Sequence, residues 1–171
     1  MHNHKKLKSK WTCLCSCLIL CGLFFFVGLS LTHADEIRIP AVVGTPGSTV
    51  KIPIMMDQVE NLAGMKIVLN YDKKTLLFKS VAKTTYTNSL MHIVNDKKPG
   101  VLIIVMAGAR GIKGKKISLL TMSFQINKDA QPPDETVLKI SGIQLMSDKL
   151  KEFKADVKIE PVKIVNATSP G

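Results

Sequence analysis

From residue 35 onward, apolar side chains fall on alternate positions in short runs separated by Gly, Pro, Asn and Asp. Ile37, Ile39 and Ala41 alternate with Arg38 and Pro40, and Gly44-Thr45-Pro46-Gly47 then supplies a turn. Val50, Ile52 and Ile54 share one face, with Lys51 and Pro53 on the other. Pro53 has no N–H to give a ladder, which predicts an edge or bulged strand there. Met65, Ile67, Leu69 and Tyr71 again share one parity, opposite Lys66, Val68 and Asn70. Strict alternation of this kind predicts strands with one buried face.

The segment from Tyr71 to Phe78 breaks the period. Asp72 is placed to cap a single turn there by accepting a backbone N–H. A strand is expected from Phe78 to Tyr86, and a short helix or a strand over Asn88–Asn95. Asp96-Lys97-Lys98-Pro99-Gly100 reads as a turn. Val101 to Ala107 is apolar at every position, so it is either a central strand or one with an apolar outward face. Gly108 to Lys116 reads as a glycine-rich basic loop. Leu120, Met122, Phe124 and Ile126 form one face of the next strand, closed by Gln131-Pro132-Pro133-Asp134. Strands over Thr136–Met146 and Phe153–Val165 complete the set, and residues 167–171 read as a frayed tail. About nine strands at roughly ten-residue spacing, without a long helix, predict an all-β, antiparallel β-sandwich spanning residues 35–166.

Residues 1–34 are of another kind. Lys5, Lys6, Lys8 and Lys10 precede an uncharged apolar stretch from Trp11 to Leu31, and Thr32-His33-Ala34 forms a small-x-small site before Asp35. This predicts an export signal, and hence a secreted or cell-envelope protein. The stretch is also long enough to span a bilayer as a retained N-terminal anchor helix, so membrane attachment through residues 11–32 stays open. All four cysteines and the only tryptophan lie in this segment. The region after it therefore offers no disulfide framework, cysteine metal site or thiol nucleophile. Four of the 24 basic residues precede residue 35 and all 13 acidic residues lie from Asp35 onward, leaving a net charge of +7 on residues 35–171.

Most chemistry is hard to build from what remains. His92 is the only imidazole after residue 34, with no local serine motif beside it. Gly108–Lys116 superficially suggests a phosphate loop, but Ala109 and Lys116 occupy the places that require glycine and Ser or Thr. The basic excess is scattered without interleaved aromatics, which argues against nucleic acid. Asp134, Glu135 and Asp148 are the carboxylates able to contribute to a loop-borne calcium site, though the spacing of a calcium-binding loop is absent. No cofactor is expected. For stacking of sugar rings, Tyr86 is the sole platform, since Tyr71, Phe78, Phe124 and Phe153 occupy inward positions.

Taken in order, Gly44-x-x-Gly47-Ser48-x-Val50-x-Ile52-Pro53-Ile54, Leu62-Ala63-Gly64-Met65-x-Ile67-x-Leu69-x-Tyr71-Asp72, Thr75-Leu76-Leu77-Phe78 and Leu119–Ile126 resemble a cohesin domain. Cohesins are the sandwich modules that capture dockerins in extracellular assemblies such as cellulosomes. The resemblance implies a nine-stranded jelly roll, no catalysis, and recognition of a dockerin-like or other extracellular or envelope protein on one sheet. Two departures stand out. Cohesins of the best-known type carry polar or acidic groups outward on the strand entering Tyr-Asp, whereas here those positions are Gly64, Lys66, Val68 and Asn70. The segment before the Phe124 strand carries Lys113, Lys115 and Lys116 in place of acidic or neutral residues.

A contact surface is also expected on physical grounds. Only one face of Val101–Ala107 can enter a two-sheet core, and an uncovered second face would form an apolar patch. Lys66, Val68 and Asn70 extend that patch and are the candidate partner-binding residues. The expected function is a non-catalytic protein–protein interaction module. The alternative is a carbohydrate-binding module associated with polysaccharide breakdown.

Overall fold

The computed structural model describes residues 35–166. The expected signal or anchor in residues 1–34 and the tail at 167–171 lie outside that range. Among the described residues the fold is all strand except for one turn of 3-10 helix, Thr85–Thr87. The strands are β1 (Glu36–Ile39), β2 (Val42–Gly44), β3 (Thr49–Asn70), β4 (Leu76–Lys83), β5 (Met91–Asn95) and β6 (Val101–Ile126). They continue with β7 (Asp134–Thr136), β8 (Lys139–Ser147), β9 (Glu152–Phe153), β10 (Asp156–Ile159) and β11 (Val162–Ile164).

Eleven strands thus replace the nine expected, for two opposite reasons. The segments expected at Ser48–Asp57 and Met65–Tyr71 are one strand, β3, and those at Val101–Ala107 and Ile117–Asn127 are one strand, β6. Conversely, the run Phe153–Val165 divides into β9, β10 and β11, β7 and β8 share the run expected at Thr136–Met146, and β2 is an extra strand after Ala41, so four additional strands outweigh the two mergers. β3 and β6 pair antiparallel along almost their whole length and carry the fold. Their C- and N-terminal parts, respectively, join β8 and β5 in the order β8-β3-β6-β5. Their other halves join β10, β1 and β4 in the order β10-β1-β3-β6-β4. A three-stranded sheet, β2-β11-β7, completes the sandwich.

Alternation accounts for the core. Met65, Ile67, Leu69, Leu102, Ile104 and Met106 project from one sheet, and Val50, Ile52, Ile54, Leu120, Met122 and Phe124 from the other; all are buried in a single cluster. Burial of aliphatic side chains at roughly 1.5–3 kcal/mol each is the main force closing the two layers. Phe124 is at the centre of an aromatic group, edge-on to Tyr71 at 5.1 Å and to Phe78 at 5.6 Å.

The basic segment Gly108–Lys116 corrects the expectation of a loop. It is strand, lying in the part of β6 that pairs with Gln58–Leu62 of β3 while the two strands pass from one sheet to the other. Register shifts occur in β3 at Ile54/Met55, Val59/Leu62 and Leu62/Gly64, and Asn61 takes a positive φ of 60°. The first shift sets the extra residue, Leu119, on β6, so the strand that carries Pro53 is not the bulged one; β1 pairs with β3 only at Met55 and Met56, which leaves Pro53 unpaired on that side, as at an edge. At the crossing, Gly111 lies so close to Asn61 that a Cβ would sit 2.5 Å from its backbone Cα and carbonyl carbon. Ile112 and Ile117 point inward on either side while Lys113, Lys115 and Lys116 point to solvent. Glycine and lysine here serve close strand crossing and solvation, which composition alone cannot distinguish from a loop.

Candidate partner-binding face

The outward side of the β8-β3-β6-β5 sheet is a grid of side chains fixed by register. One row runs Met146, Gly64, Ala107, Met91, and the next Gln144, Lys66, Val105, Ile93. The third runs Gly142, Val68, Ile103, Asn95, and a fourth joins Lys139, Asn70 and Val101. Directly opposed side chains in such rows lie close enough to touch. The expected residues Lys66, Val68 and Asn70 therefore stand together on one face, in successive outward positions of β3. Val101, Ile103 and Val105 are half-buried beside them, which selects the outward-apolar alternative for β6.

Asn70 is held in place. Its Nδ2 donates to Ser141 Oγ at 2.7 Å, and that hydroxyl in turn donates to the carbonyl of Val68 at 3.4 Å. Lys66 is exposed and has no carboxylate within salt-bridge distance; the ion pairs among the described residues belong to Arg38, with Glu36 and Asp57. None of the outward positions in the four rows is acidic.

Met91 and Ile93 belong to this face and were not among the expected residues; they are its most exposed apolar groups, at 71% and 65%. Asn88–Asn95 allowed either helix or strand, so the parity of these side chains had no frame. Tertiary contacts settle it. Thr84 Oγ1 donates to the Ser118 carbonyl at 2.6 Å, and the buried Thr87 Oγ1 to the Leu119 carbonyl at 2.8 Å. Lys83 Nζ donates to the carbonyls of Asn88 and Leu90 at 2.9 and 3.0 Å. These bonds end β4 at Lys83, short of the expected Tyr86, and deliver the chain to the β6 edge at Met91.

Other candidates are placed elsewhere. His92 pairs in register with inward-facing Met106, on the opposite side of the sheet from Ile93. Tyr86 is half exposed in the 3-10 turn, and the aromatic pairs among the described residues involve only Tyr71, Phe78 and Phe124. No group of three His, Cys, Asp or Glu side chains able to hold a metal ion occurs among the described residues, so Asp134, Glu135 and Asp148 do not assemble into one. Asp72 carries out the turn expected of it. Its carboxylate accepts hydrogen bonds from Thr75 Oγ1 and the Lys74 N–H, which hold it below the usual carboxylate range.

Residues 36–163 match the family profile of the cohesin domain, most of the chain and nearly all of its described part. The chain belongs to the cohesin family. Solved structures agree with this cohesin in fold. The sixth cohesin of scaffoldin B from Acetivibrio cellulolyticus, solved with a mutant Cel5 dockerin, superposes with a TM-score of 0.71 at 20% identity, covering 77% of this chain and 99% of that one. A type I cohesin–dockerin complex from Clostridium thermocellum gives 0.69 at 16% identity, covering 78% and 100%. A non-cellulosomal cohesin from the archaeon Archaeoglobus fulgidus gives 0.69 at 16%, covering 78% and 92%. Curated protein sequences yield no match. The all-β sandwich expected from alternation, and the jelly roll implied by the resemblance, are thus the fold of this cohesin.

Proposed function

We propose that this cohesin is an exported, non-catalytic adaptor that captures a dockerin or a similar extracellular protein on the β8-β3-β6-β5 face. The observation carrying this reading is the uncovered apolar grid of Met91, Ile93, Val105, Ile103 and Val68, adjacent to an unpaired Lys66 and free of carboxylates. Apolar contacts at the centre of such a patch supply affinity, and the lysines select an acidic partner surface. Solved relatives in complex with dockerins support a partner of that kind. Residues 1–34 act as the export signal, either removed or kept as an anchor. The absence of catalysis is supported by the position of His92, a lone imidazole on the inward side of an edge strand.

The test is capture of binding partners from the extracellular and envelope fraction of the native host with the tagged full chain, repeated with Val68→Asp. A dockerin-bearing or other envelope protein retained by the parent and lost from the variant supports the reading. Equal retention by both excludes this face. Retention in polysaccharide gels that is lost in Tyr86→Ala, with no protein partner, would replace it with the carbohydrate-binding alternative.

A further inference from the structure

Two glycines stand in the grid, Gly64 and Gly142, and a depression opens at the second. Gly142 on β8 stands opposite Val68, and its missing side chain leaves a depression of about 300 Å³ lined by Lys66, Val68, Gly142, Ile143 and Gln144. At the other strand glycines except Gly64 an added side chain would meet a close neighbour, backbone at Gly111 and side-chain atoms elsewhere. A Cβ at Gly44, Gly108, Gly111 or Gly114 would come within 2.4–2.7 Å of a neighbouring atom. A Cβ at Gly142 would meet only Val68, with Cγ2 at 3.4 Å and Cβ at 3.6 Å, which is ordinary contact. Its φ does not lie in the left-handed region either, unlike those of the turn glycines Gly47 and Gly100. Neither a collision nor a left-handed φ requires glycine at 142, which stands beside the bulge at Ser141, and its missing side chain leaves the hole.

The walls of the hole are chemically distinct. Its floor is the Gly142 backbone with the Val68 side chain, an apolar seat. On one side stand the Lys66 ammonium and the Gln144 carboxamide, neighbours in the same cross-strand row and without a hydrogen-bond or ion-pair partner among the described residues. We infer that this depression is the specificity slot of the partner-binding face and takes a Glu or Asp side chain of the partner. The methylenes lie over Gly142 and against Val68, and the carboxylate lies between Lys66 Nζ and Gln144 Nε2. Charge selects this occupant. The face has no carboxylate to neutralise Lys66, so a second copy presenting the same face has none to offer it, and a net charge of +7 over residues 35–171 makes a second copy the poorer electrostatic partner.

The inference rests on the reading of the sheet face given above, and the experiment separates the two. The probe is a yeast-displayed library built on the Cel5 dockerin of Acetivibrio cellulolyticus, randomised at surface positions and sorted with the tagged full chain. Clones selected by the parent are expected to share an acidic residue at one position. They are expected to lose tenfold or more in affinity for Lys66→Glu and for Gly142→Val, whose branched side chain fills the slot, and less for Gly142→Ala. Sorting with Lys66→Glu is expected to enrich Lys or Arg at the same position. Thermal melting of Gly142→Val within a few degrees of the parent shows that filling, not unfolding, causes the loss; a larger drop transfers the decision to Lys66→Glu and the charge swap. Clones that lose binding to Ile93→Asp yet tolerate Lys66→Glu and the charge swap overturn the slot and leave the face intact. Clones indifferent to Ile93→Asp overturn the face. An apolar residue enriched at the contact position overturns the acidic occupant, and a dimer of the chain dissolved by Gly142→Val would assign the slot to a second copy. No binding clone from a library of verified display overturns both readings.

Discussion

Replacing Gly111 by alanine adds a single methyl group at the point where β3 and β6 cross, and its effect can be worked out from two opposing terms. The new Cβ would lie 2.5 Å from the Cα and carbonyl carbon of Asn61 and 2.6 Å from its oxygen. Comfortable carbon contacts are roughly 3.5–4 Å, so paired backbone must move by about 1 Å. Overpacking of this kind costs about 1–3 kcal/mol. Alanine also narrows the unfolded ensemble, which stabilises by about 0.4–1 kcal/mol where the native φ suits it. At mid-range the close-approach term wins, about 2 kcal/mol against about 0.7, leaving a net loss of about 1.3 kcal/mol and a melting point lower by roughly 4–6 °C. The same change at Gly142 meets Val68 only at 3.4 Å, so the unfolded-state term prevails and the melting point stays level or rises by a degree or two, about 0.5 kcal/mol. Thermal melts of the full chain followed by circular dichroism, with urea midpoints at constant m, measure both. A Gly111→Ala variant as stable as the parent, or a Gly142→Ala variant that falls equally far, would refute the close-approach reasoning.

Phe124→Ala removes a fully buried ring and both of its edge contacts, and is expected to cost about 3–5 kcal/mol, read as a urea midpoint shift. Phe124→Leu keeps most of the volume and is expected to cost about 1–2 kcal/mol. Ile93→Asp, at a side chain already in water, is expected to leave the melting point nearly unchanged while abolishing partner capture in a pull-down. The Asp72 carboxyl is expected to titrate below the usual aspartate range by NMR and to move back up in Thr75→Val, which loses one donor to it. A depressed folded value stabilises above the unfolded value and fades as pH falls below about 4, so Thr75→Val is expected to be less stable than the parent near neutrality and to lose that deficit in acid, giving a shallower acid dependence.

Alternation was enough to find the core, because Ile52, Ile67, Ile104 and Met122 recur at period two and a one-residue slip would turn each of them to water. It also found Lys66, Val68 and Asn70 on one face, since parity along a single strand needs no partner strand. The crossing of β3 and β6 was not legible. Gly108–Lys116 has the composition of a loop, and only the approach of Asn61 reveals why glycine stands at 111. Met91 and Ile93 were missed because Asn88–Asn95 fits two periods, and the choice is made by hydrogen bonds from Thr84 and Thr87 to a strand some thirty residues away. The hole at Gly142 is a property of pairing. It exists only because β8 lies beside β3 in a register that sets Gly142 against Val68.

β1 pairs with β10, and β2 with β11, each in parallel, through four and three residue pairs respectively. Tension applied to the two ends of the domain would pull these strands lengthwise past one another. In that loading geometry the bonds of a ladder resist together, whereas strands peeled apart from one end yield one bond at a time. The domain is therefore expected to withstand stretching between its ends better than a fold whose first and last strands are antiparallel neighbours.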